Sequence, residues 1–262
     1  MQRVTDSPWL VLVVSLIATW LCAQLGAALR RAHAARGLRA YEDLDTVLAA
    51  SLTLLGLIIG FTFSMSISRY DERKKYEEEE ANAIGTEYLR AGLLPADDAA
   101  MARQLLGGYL NQRIQFFYTR DRAPLQKINE RTTQLQQQMW SIVQSAAVRQ
   151  PSALTALTAS GMNDVLNSQG YTQAAWWNRI PRAAWLMMIL IAFLCNVLIG
   201  YAASGEKKRD MLLIVMPVMI SIAFMLIADI DSPRSGIISV SAENLLSLAG
   251  QMTSTAPAAP VR

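Results

Sequence analysis

Four uncharged stretches, each long enough to cross a bilayer, constrain the fold of this chain more than any other feature of its sequence. They cover residues 8–28, 46–67, 183–203 and 211–228. Because an α-helix rises about 1.5 Å per residue, about twenty residues cross a hydrocarbon core of roughly 30 Å. Only 17% of the 262 residues are charged, whereas a soluble domain averages about 25%. We therefore predict an integral membrane protein with four transmembrane helices.

The first stretch has a second interpretation, a cleaved signal peptide with Arg3 as its basic flank. Its 21 uncharged residues exceed the roughly 7–15 apolar residues of such peptides, and no clean A-x-A stop follows the stretch. We therefore expect an anchor. Seven cations flank the stretches on one side and eight on the other, so the positive-inside rule does not orient the protein.

Residues 68–182, between the second and third stretches, form the predicted extramembrane domain. Within 125–146 the apolar residues recur at threes, fours and sevens, as on one buried helix face. Further helices are predicted over 68–94, 95–118 and 152–167. The fold class is thus an all-α integral membrane protein with a large helical extramembrane domain between transmembrane helices two and three. Residues 229–262 should hold a turn, a short helix and, from Thr253, a disordered tail.

The second stretch carries two strips of residues with different properties. Gly56, Gly60 and Ser64 lie on one helical face, and a GxxxG pair lets helix backbones approach closely. From the residues alone, tight helix packing is the favoured interpretation of this face. The alternative is that a neighbouring strip at intervals of four forms an apolar ring around a shared axis and gates by dewetting. That strip consists of Thr53, Leu57 and Phe61.

Four consecutive carboxylates, Glu77 to Glu80, follow the cations Arg73, Lys74 and Lys75 after a single tyrosine. Such runs are usually a solvated helix face, with i,i+4 ion pairs worth about 0.2–0.5 kcal/mol each. The alternative is that one of the carboxylates, Glu80, turns inward beside Asn82 and caps or pairs with another subunit.

Two further motifs flank the third and fourth stretches. Trp176 and Trp177 lie among cations, which is typical of an interfacial aromatic belt. After the fourth stretch, the sequence DIDSPRSG stops the helix at Ser-Pro and permits a turn at Gly236. Ionisable residues at membrane depth are candidates for an ion path, but Asp229 and Asp231 are expected just past the span. The favoured interpretation is therefore a turn organised by an Asp–Arg234 contact.

Residue types argue against several function classes. The chain has one histidine, His33, and its two cysteines lie in apolar stretches, so no His/Cys set has the spacing of a metal site. No nucleophile–base set or Gly-rich phosphate loop is present, and a net charge of +3 gives no reason to expect nucleic acid. We expect a protein that is not an enzyme and that has no cofactor and no metal.

The pair Gly60-Phe61 is followed, eight residues after the Phe, by Arg69-Tyr70, and this pattern resembles the second transmembrane helix of bestrophins. The string GFTFSMSISRYDERKKYEEEEANAIGTEYLR and the later DIDSPRSG are closer still to the bacterial bestrophin-like membrane proteins. The resemblance implies a four-helix membrane fold with a helical cytosolic domain and both termini inside. It also implies five subunits around a chloride-conducting axis.

Carried over by position, the resemblance places the neck of the pore at Thr53, Leu57 and Phe61. Thr53 is more polar than the family's residue, and Leu57 replaces what is commonly an aromatic. Arg69 and Arg73, one turn apart at the predicted cytosolic mouth, are the candidates for attracting anions. In the resembled family, the segment that contains Glu80, Asn82 and Gly85 is a hallmark without an assigned role. The other motif residues are those of the turn after the fourth stretch, Asp229, Asp231, Pro233 and Gly236.

Animal bestrophins hold calcium after the fourth span, where this chain has Asp229 and Asp231. Two carboxylates are few for an ion that takes six to eight oxygens, so no calcium site is expected. The preferred function is a homo-oligomeric, anion-permeable channel in a bacterial inner membrane, with chloride as the permeant ion. The alternative is a non-conducting membrane scaffold or sensor whose cytosolic helices bind a partner.

Overall fold

The computed structural model describes residues 7–37, 44–203 and 212–254, and these ranges are almost entirely helical. No strand occurs within them, so the predicted all-α fold class is confirmed. The predictions about Arg3, and those about the tail after Ser254, lie outside the described residues.

The described ranges contain eight α-helices and one short 3-10 turn. Four helical segments there are long and apolar enough to cross a membrane. The elements, in order, are α1 (Pro8–Ala35), α2 (Leu44–Arg90), the 3-10 turn (Ala91–Leu93), α3 (Ala96–Tyr118), α4 (Arg122–Arg149), α5 (Ala153–Trp177), α6 (Arg182–Ala203), α7 (Leu212–Asp231) and α8 (Glu243–Ser254).

The chain divides into two compact units, and α2 contributes to both. The first unit comprises Met1–Tyr70 and Arg179–Ser239, and the second comprises Asp71–Asn178 and Val240–Arg262. The second uncharged stretch and the helix predicted over 68–94 are a single α-helix of 47 residues. Nothing in its sequence interrupts it, because no proline or glycine pair falls between Phe61 and Ile84.

In the first unit, α1 packs against α6 and α7. A side-chain carbon on Gly26 would overlap the backbone carbonyl of Val197, and one on Gly200 would overlap the backbone of Ala23. Only glycine therefore lets α1 and α6 approach this closely. A separate core cluster of the same unit includes Trp185 of α6 and Phe224 of α7, whose rings meet edge to face with centroids 6.2 Å apart.

The second unit is built from α3, α4, α5, α8 and the polar part of α2. The apolar face predicted for α4 is buried, at Ile128, Leu135, Met139, Ile142 and Ala146, and α4 packs on both α3 and α5. A capping box of Ser152 and Thr155 starts α5. That helix runs ten residues past the predicted end at 167.

The prediction that Trp176 and Trp177 both belong to an interfacial aromatic belt is wrong for Trp176. Trp176 is 4% exposed and packs edge to face on Phe116 and Phe117 of α3. Trp177, the next residue, is 75% exposed. The helix places successive residues about 100° apart, so the burial of Trp176 turns Trp177 outward.

Candidate functional site

The strip Thr53, Leu57 and Phe61 lies on an open face of α2. Leu57 is 53% exposed and Phe61 is 65% exposed, and Thr53 is also exposed. The Thr53 hydroxyl donates to the carbonyl of Ala49 one turn earlier, at 2.9 Å. A hydroxyl satisfied in this way adds little polarity to the strip. In the single chain, the strip is therefore an apolar surface available to lipid, to water or to another copy.

The opposite face of α2 is packed within the first unit. Leu55 is 3% exposed and belongs to the core cluster of that unit. Thr62 and Ser66 are buried, and their hydroxyls donate to the carbonyls of Ile58 and Thr62 of the same helix at 2.8 and 3.1 Å. The thiol of Cys195 on α6 lies 3.4 Å from the carbonyl of Ser51. These contacts fix which side of α2 remains open.

The small residues Gly56, Gly60 and Ser64 do not pack against another helix of this chain. No atom of the described residues lies within 4 Å of a side-chain carbon built on Gly56 or Gly60, and Ser64 is exposed. The close helix crossing within the first unit is instead made at Gly26 and Gly200. The packing predicted for Gly56 and Gly60 thus stays a prediction for contacts between copies.

Of the two arginines predicted at the pore mouth, Arg73 is buried. It is 1% exposed, and its guanidinium donates to the carbonyls of Ala175 and Asn178 at the end of α5, at 3.3 Å each. Arg69 is half-buried, and its Nε atom has no hydrogen-bond partner among the described residues. Arg69 is therefore the more accessible of the two arginines.

The four consecutive glutamates divide into an exposed pair and a buried pair. Glu78 and Glu79 are exposed, and Glu79 pairs with Lys75 at 3.5 Å, as the i,i+4 spacing predicted. Glu77 is 1% exposed and Glu80 is 0% exposed. The interpretation of the whole run as a solvated face is therefore wrong for Glu77 and Glu80.

Glu80 turns inward, but its partners lie in its own chain. Its carboxylate forms a buried ion pair with Arg113 of α3, and it accepts a hydrogen bond of 2.7 Å from the hydroxyl of Thr172 on α5. Arg113 is also fully buried, with its guanidinium 4.4 Å from the Phe116 ring centroid. These contacts join three helices of the second unit at one carboxylate.

Glu77 binds the first turn of α8. Its Oε1 accepts a hydrogen bond of 3.0 Å from the backbone amide of Leu245, and its Oε2 accepts one of 2.6 Å from the side-chain amide of Asn244. The first amides of a helix have no partner within that helix, and the helix dipole favours a negative charge there. Glu77 thereby caps α8 from another part of the chain.

Glu87 is a third buried carboxylate on the same face of α2. It is 0% exposed, and neither of its oxygens has a hydrogen-bond partner among the described residues. The pKa of Glu87 is raised to about 8, mainly because burial disfavours its charged form. The nearby cation Arg90 lowers this pKa, and the carboxylate of Asp164 raises it. A side-chain carbon on Gly161 of α5 would overlap this carboxylate, so the glycine makes the space that Glu87 occupies.

The DIDSPRSG motif forms a buried turn in the first unit. Asp229 and Asp231 lie in the last turn of α7, which ends at Asp231, directly before the predicted stop at Ser232-Pro233, and they are 2% and 4% exposed. Asp229 accepts hydrogen bonds from the backbone amides of Ile237 and Ile238 at 2.7 and 2.8 Å. Asp231 accepts one from the amide of Ile180 at 2.9 Å. The carboxylates are thus bound to backbone amides, which supports the structural role.

Two other residues of the motif fit the same turn. A side-chain carbon on Gly236 would overlap the carbonyl of Asp229, and Pro233 is buried. The predicted contact between an Asp and Arg234 stays a prediction. Within residues 7–37, 44–203 and 212–254, no three His, Cys, Asp or Glu side chains gather as a metal site requires.

Asn82 and Gly85, the central residues of the α2 motif, line a cavity of about 1000 Å³ in the second unit. Its walls come from α2, α3 and α8, and a side-chain carbon on Gly85 would lie 3.0 Å from Leu248 of α8. Arg103 of α3 also lines it and donates to the carbonyl of Tyr88 at 3.3 Å. The motif thus marks the place where the C-terminal helix meets α2.

Sequence reasoning missed Arg113, Thr172 and Glu87 as members of this buried polar system. Arg113 is the one charged residue in the string LNQRIQFFY, and its position among aromatic residues was the available signal. Glu87 lies seven residues after Glu80, so both face the same side of a helix. No property of Thr172 distinguishes it from the other threonines of α5.

A family model described as Bestrophin-like domain matches residues 9–245. A variant of a bacterial Bestrophin homolog from Klebsiella pneumoniae gives a TM-score of 0.70 at 14% identity, over 93% of this chain and 99% of that chain. A second variant of that homolog gives 0.67 at 15% identity, over 92% and 99%. The structure of the homolog by Zn-SAD phasing gives 0.66 at 15% identity, over 91% and 98%. No curated protein matches the sequence.

Proposed function

The chain belongs to the bestrophin-like family, and on this basis we propose that it forms a homo-oligomeric ion channel lined by the open face of α2. Thr53, Leu57 and Phe61 form the narrowest ring of the pore. Five copies surround the axis, as the family resemblance implies. The protein lies in a bacterial inner membrane with both termini and the second unit in the cytoplasm.

This proposal rests on one observation: within the membrane-spanning part of α2, one face is buried and the opposite face is exposed. Its buried face holds Leu55, Thr62 and Ser66 against the rest of the first unit, whereas its open face presents Leu57 and Phe61 to the outside. Gly56 and Gly60 adjoin this open strip with free space around them. Small residues between large apolar ones let neighbouring copies approach closely while the large side chains point at a common axis.

A ring of apolar side chains does not select ions by the sign of their charge. The preference for anions, with chloride as the permeant ion, must therefore come from cations near the path. Arg69 follows Phe61 by about two helical turns on α2, and its Nε atom has no hydrogen-bond partner among the described residues. It is the residue to which we assign the attraction of anions at the mouth.

Electrical recording of the purified protein in planar bilayers under a chloride gradient tests the proposal. We expect single-channel currents whose reversal potential follows the chloride gradient. Leu57→Ala and Phe61→Ala should raise the leak conductance, because they widen the constriction and make it easier to wet. Phe63→Ala is the matched control, since Phe63 lies on α2 about 160° of helix rotation from Phe61.

The reactivity of single cysteines shows whether the open face of α2 lines a water-filled pore or contacts lipid. In a background that lacks Cys22 and Cys195, single cysteines at Thr53, Leu57 and Phe61 should react with a charged methanethiosulfonate reagent, and one at Phe63 should not. Uniformly unreactive positions in correctly assembled protein would refute the pore assignment.

The non-conducting scaffold is the alternative function, and its supporting observation is the cavity that Asn82 and Gly85 line. A mass measurement in detergent distinguishes the two functions. A monomer or dimer leaves no axis for α2 to line, whereas a larger ring that passes no current favours the scaffold.

A further inference from the structure

A second cavity in the second unit combines aromatic rings with one carboxylate. It has a volume of about 400 Å³ and is lined by Glu72 and Tyr76 of α2, by Tyr171 and Trp177 of α5, and by Asn178. Neither the pore nor the buried ion pair uses these side chains. The combination is chemically specific, because the face of an aromatic ring and a carboxylate both attract cations.

Helix packing holds the rings in place. Tyr76 and Tyr171 stack with centroids 5.9 Å apart and their planes 21° apart. The hydroxyl of Thr172 lies 3.4 Å from the carbonyl of Tyr76, which ties α5 to α2 beside the stack. Trp177 is turned outward because Trp176 is buried on the aromatic residues of α3. Trp177 is 75% exposed, so most of its indole is open to a ligand.

The charge around the cavity favours a cation. Glu72 is the one charged side chain among its lining residues, and it has no ion-pair partner among the described residues. Arg73 is not among the lining residues; it is buried, and its guanidinium donates to the carbonyls of Ala175 and Asn178. An anion would meet only Glu72 and the negative faces of the rings.

We propose that this cavity binds an organic ammonium group, carried either by a free quaternary ammonium compound such as choline or by the headgroup of a zwitterionic lipid. Aromatic residues with a carboxylate bind quaternary ammonium ions through cation–π attraction supplemented by charge. Glu72 follows Ile67, the last residue of the second uncharged stretch, by five residues, or about 7.5 Å of helix rise. Headgroups extend roughly 5–7.5 Å beyond the hydrocarbon core on each side, so both sources reach this part of α2.

The alternative interpretation is that these aromatic residues form a nonspecific belt at the membrane interface, and it predicts different binding. Such a belt binds apolar groups by their area and does not distinguish a cation from a neutral molecule of the same shape. An ammonium site binds choline more tightly than its uncharged isostere 3,3-dimethyl-1-butanol. The comparison of these two probes therefore decides between the two interpretations.

The experiment is a calorimetric titration of the full chain in maltoside detergent with choline chloride and, separately, with 3,3-dimethyl-1-butanol. We expect choline to bind at least about fivefold more tightly, which corresponds to about 1 kcal/mol of cation–π attraction. Trp177→Ala should weaken choline binding about fivefold or more, and Glu72→Gln about threefold or more. Trp140→Ala and Glu78→Gln are the matched controls, because Trp140 and Glu78 are exposed elsewhere in the second unit.

Nanodiscs then distinguish the two sources of the ammonium group. In phosphatidylglycerol discs, which lack an amine, choline should bind as in detergent. If a lipid headgroup is the natural ligand, phosphatidylcholine discs should abolish the binding of added choline, and if a free amine is the ligand, they should not. Equal affinity for the neutral isostere, or no choline binding in detergent and in phosphatidylglycerol discs, would overturn the proposal. Trp177 and Glu72 lie on the surface, and an unchanged thermal unfolding midpoint would confirm that their variants fold.

Discussion

Glu80 of α2 and Arg113 of α3 form an ion pair in which both side chains are completely buried. The carboxylate also accepts the Thr172 hydroxyl, and the guanidinium lies over the Phe116 ring. Removing two charges from water is costly, and their mutual attraction offsets that cost only when the geometry satisfies both partners. The energetic consequence is therefore largest when one partner is removed and the other stays.

Glu80→Ala or Arg113→Ala should each lower the free energy of unfolding by about 3–5 kcal/mol, because each leaves an unpaired buried charge. The double variant Glu80→Ala/Arg113→Ala should cost clearly less than the sum of the two single variants. Chemical unfolding of the four proteins in detergent, read by tryptophan fluorescence, gives the coupling energy. Lys75→Ala removes an exposed pair of the same helix and is the control, with an expected effect below about 0.5 kcal/mol. A single buried variant as mild as this control would contradict the described pair.

Glu77→Ala should release α8 without unfolding the rest of the second unit. The substitution removes acceptors from the Leu245 amide and the Asn244 side chain, and hydrogen bonds to a charged group contribute about 1.5–3 kcal/mol. Amide hydrogen exchange over 243–254 should accelerate about tenfold or more. Glu78→Ala, on the exposed side of α2, should leave that exchange unchanged. Equal protection in both variants would mean that Glu77 does not cap the helix.

Glu87 should make the stability of the second unit depend on pH. Its pKa is about 8 in the folded protein, above the usual value near 4.3 that it has in an unfolded chain. Between these values the folded state keeps a proton that the unfolded state has lost. The free energy of unfolding contributed by Glu87 therefore falls as pH rises through this window, by up to about 1.4 kcal/mol per unit, and is constant above it.

Thermal unfolding midpoints from pH 5 to pH 9 test this dependence. Glu87→Gln should reduce the decline with rising pH, because glutamine keeps the shape and does not ionise. Glu78→Gln should retain the slope of the parent protein. If Glu87→Gln follows the parent curve at every pH, the carboxyl group is not buried in the folded protein.

Gly200→Ala should destabilise the first unit, because the added methyl overlaps the backbone of Ala23 on α1. Overpacking of this kind costs about 1–3 kcal/mol. Gly107→Ala is the matched control, since the helical Gly107 of α3 has free space where the methyl would go and alanine favours helix over glycine by about 1 kcal/mol. Thermal unfolding in detergent should therefore show a lower midpoint for the first variant only. Similar midpoints would contradict the close crossing of α1 and α6.

Several features of the fold could be predicted from the sequence because they depend on local composition. The four spans follow from the length of uncharged sequence, and the buried face of α4 follows from spacing within one helix. The resemblance carried by Gly60-Phe61 and Arg69-Tyr70 identified the family correctly. The junction of the second span with the following helix was not predicted as one helix, because the composition changes there while the backbone hydrogen bonding does not.

The burial of charge could not be predicted in the same way. Arg73, Glu77, Glu80 and Glu87 recur at spacings of four, three and seven, which is the repeat of a buried helix seam. A helix face with so many charges is normally solvated, however. Arg73, Glu77 and Glu80 can be buried because groups on α3, α5 and α8 form hydrogen bonds or an ion pair with them. Those partners lie between 33 and 168 residues away in sequence, beyond the range of any local pattern.

The glycines show the same difference between what a local pattern predicts and what the packing of distant helices decides. Gly56 and Gly60 form the more recognisable motif, yet the close crossing within the chain is made by Gly26 and Gly200. By itself, the sequence determined which segments are helical and which enter the membrane, because hydrogen bonding within a helix and the transfer of apolar side chains from water depend on neighbouring residues alone. The tertiary structure decided which face of each helix is covered and which charges are paired, because these depend on where distant helices meet.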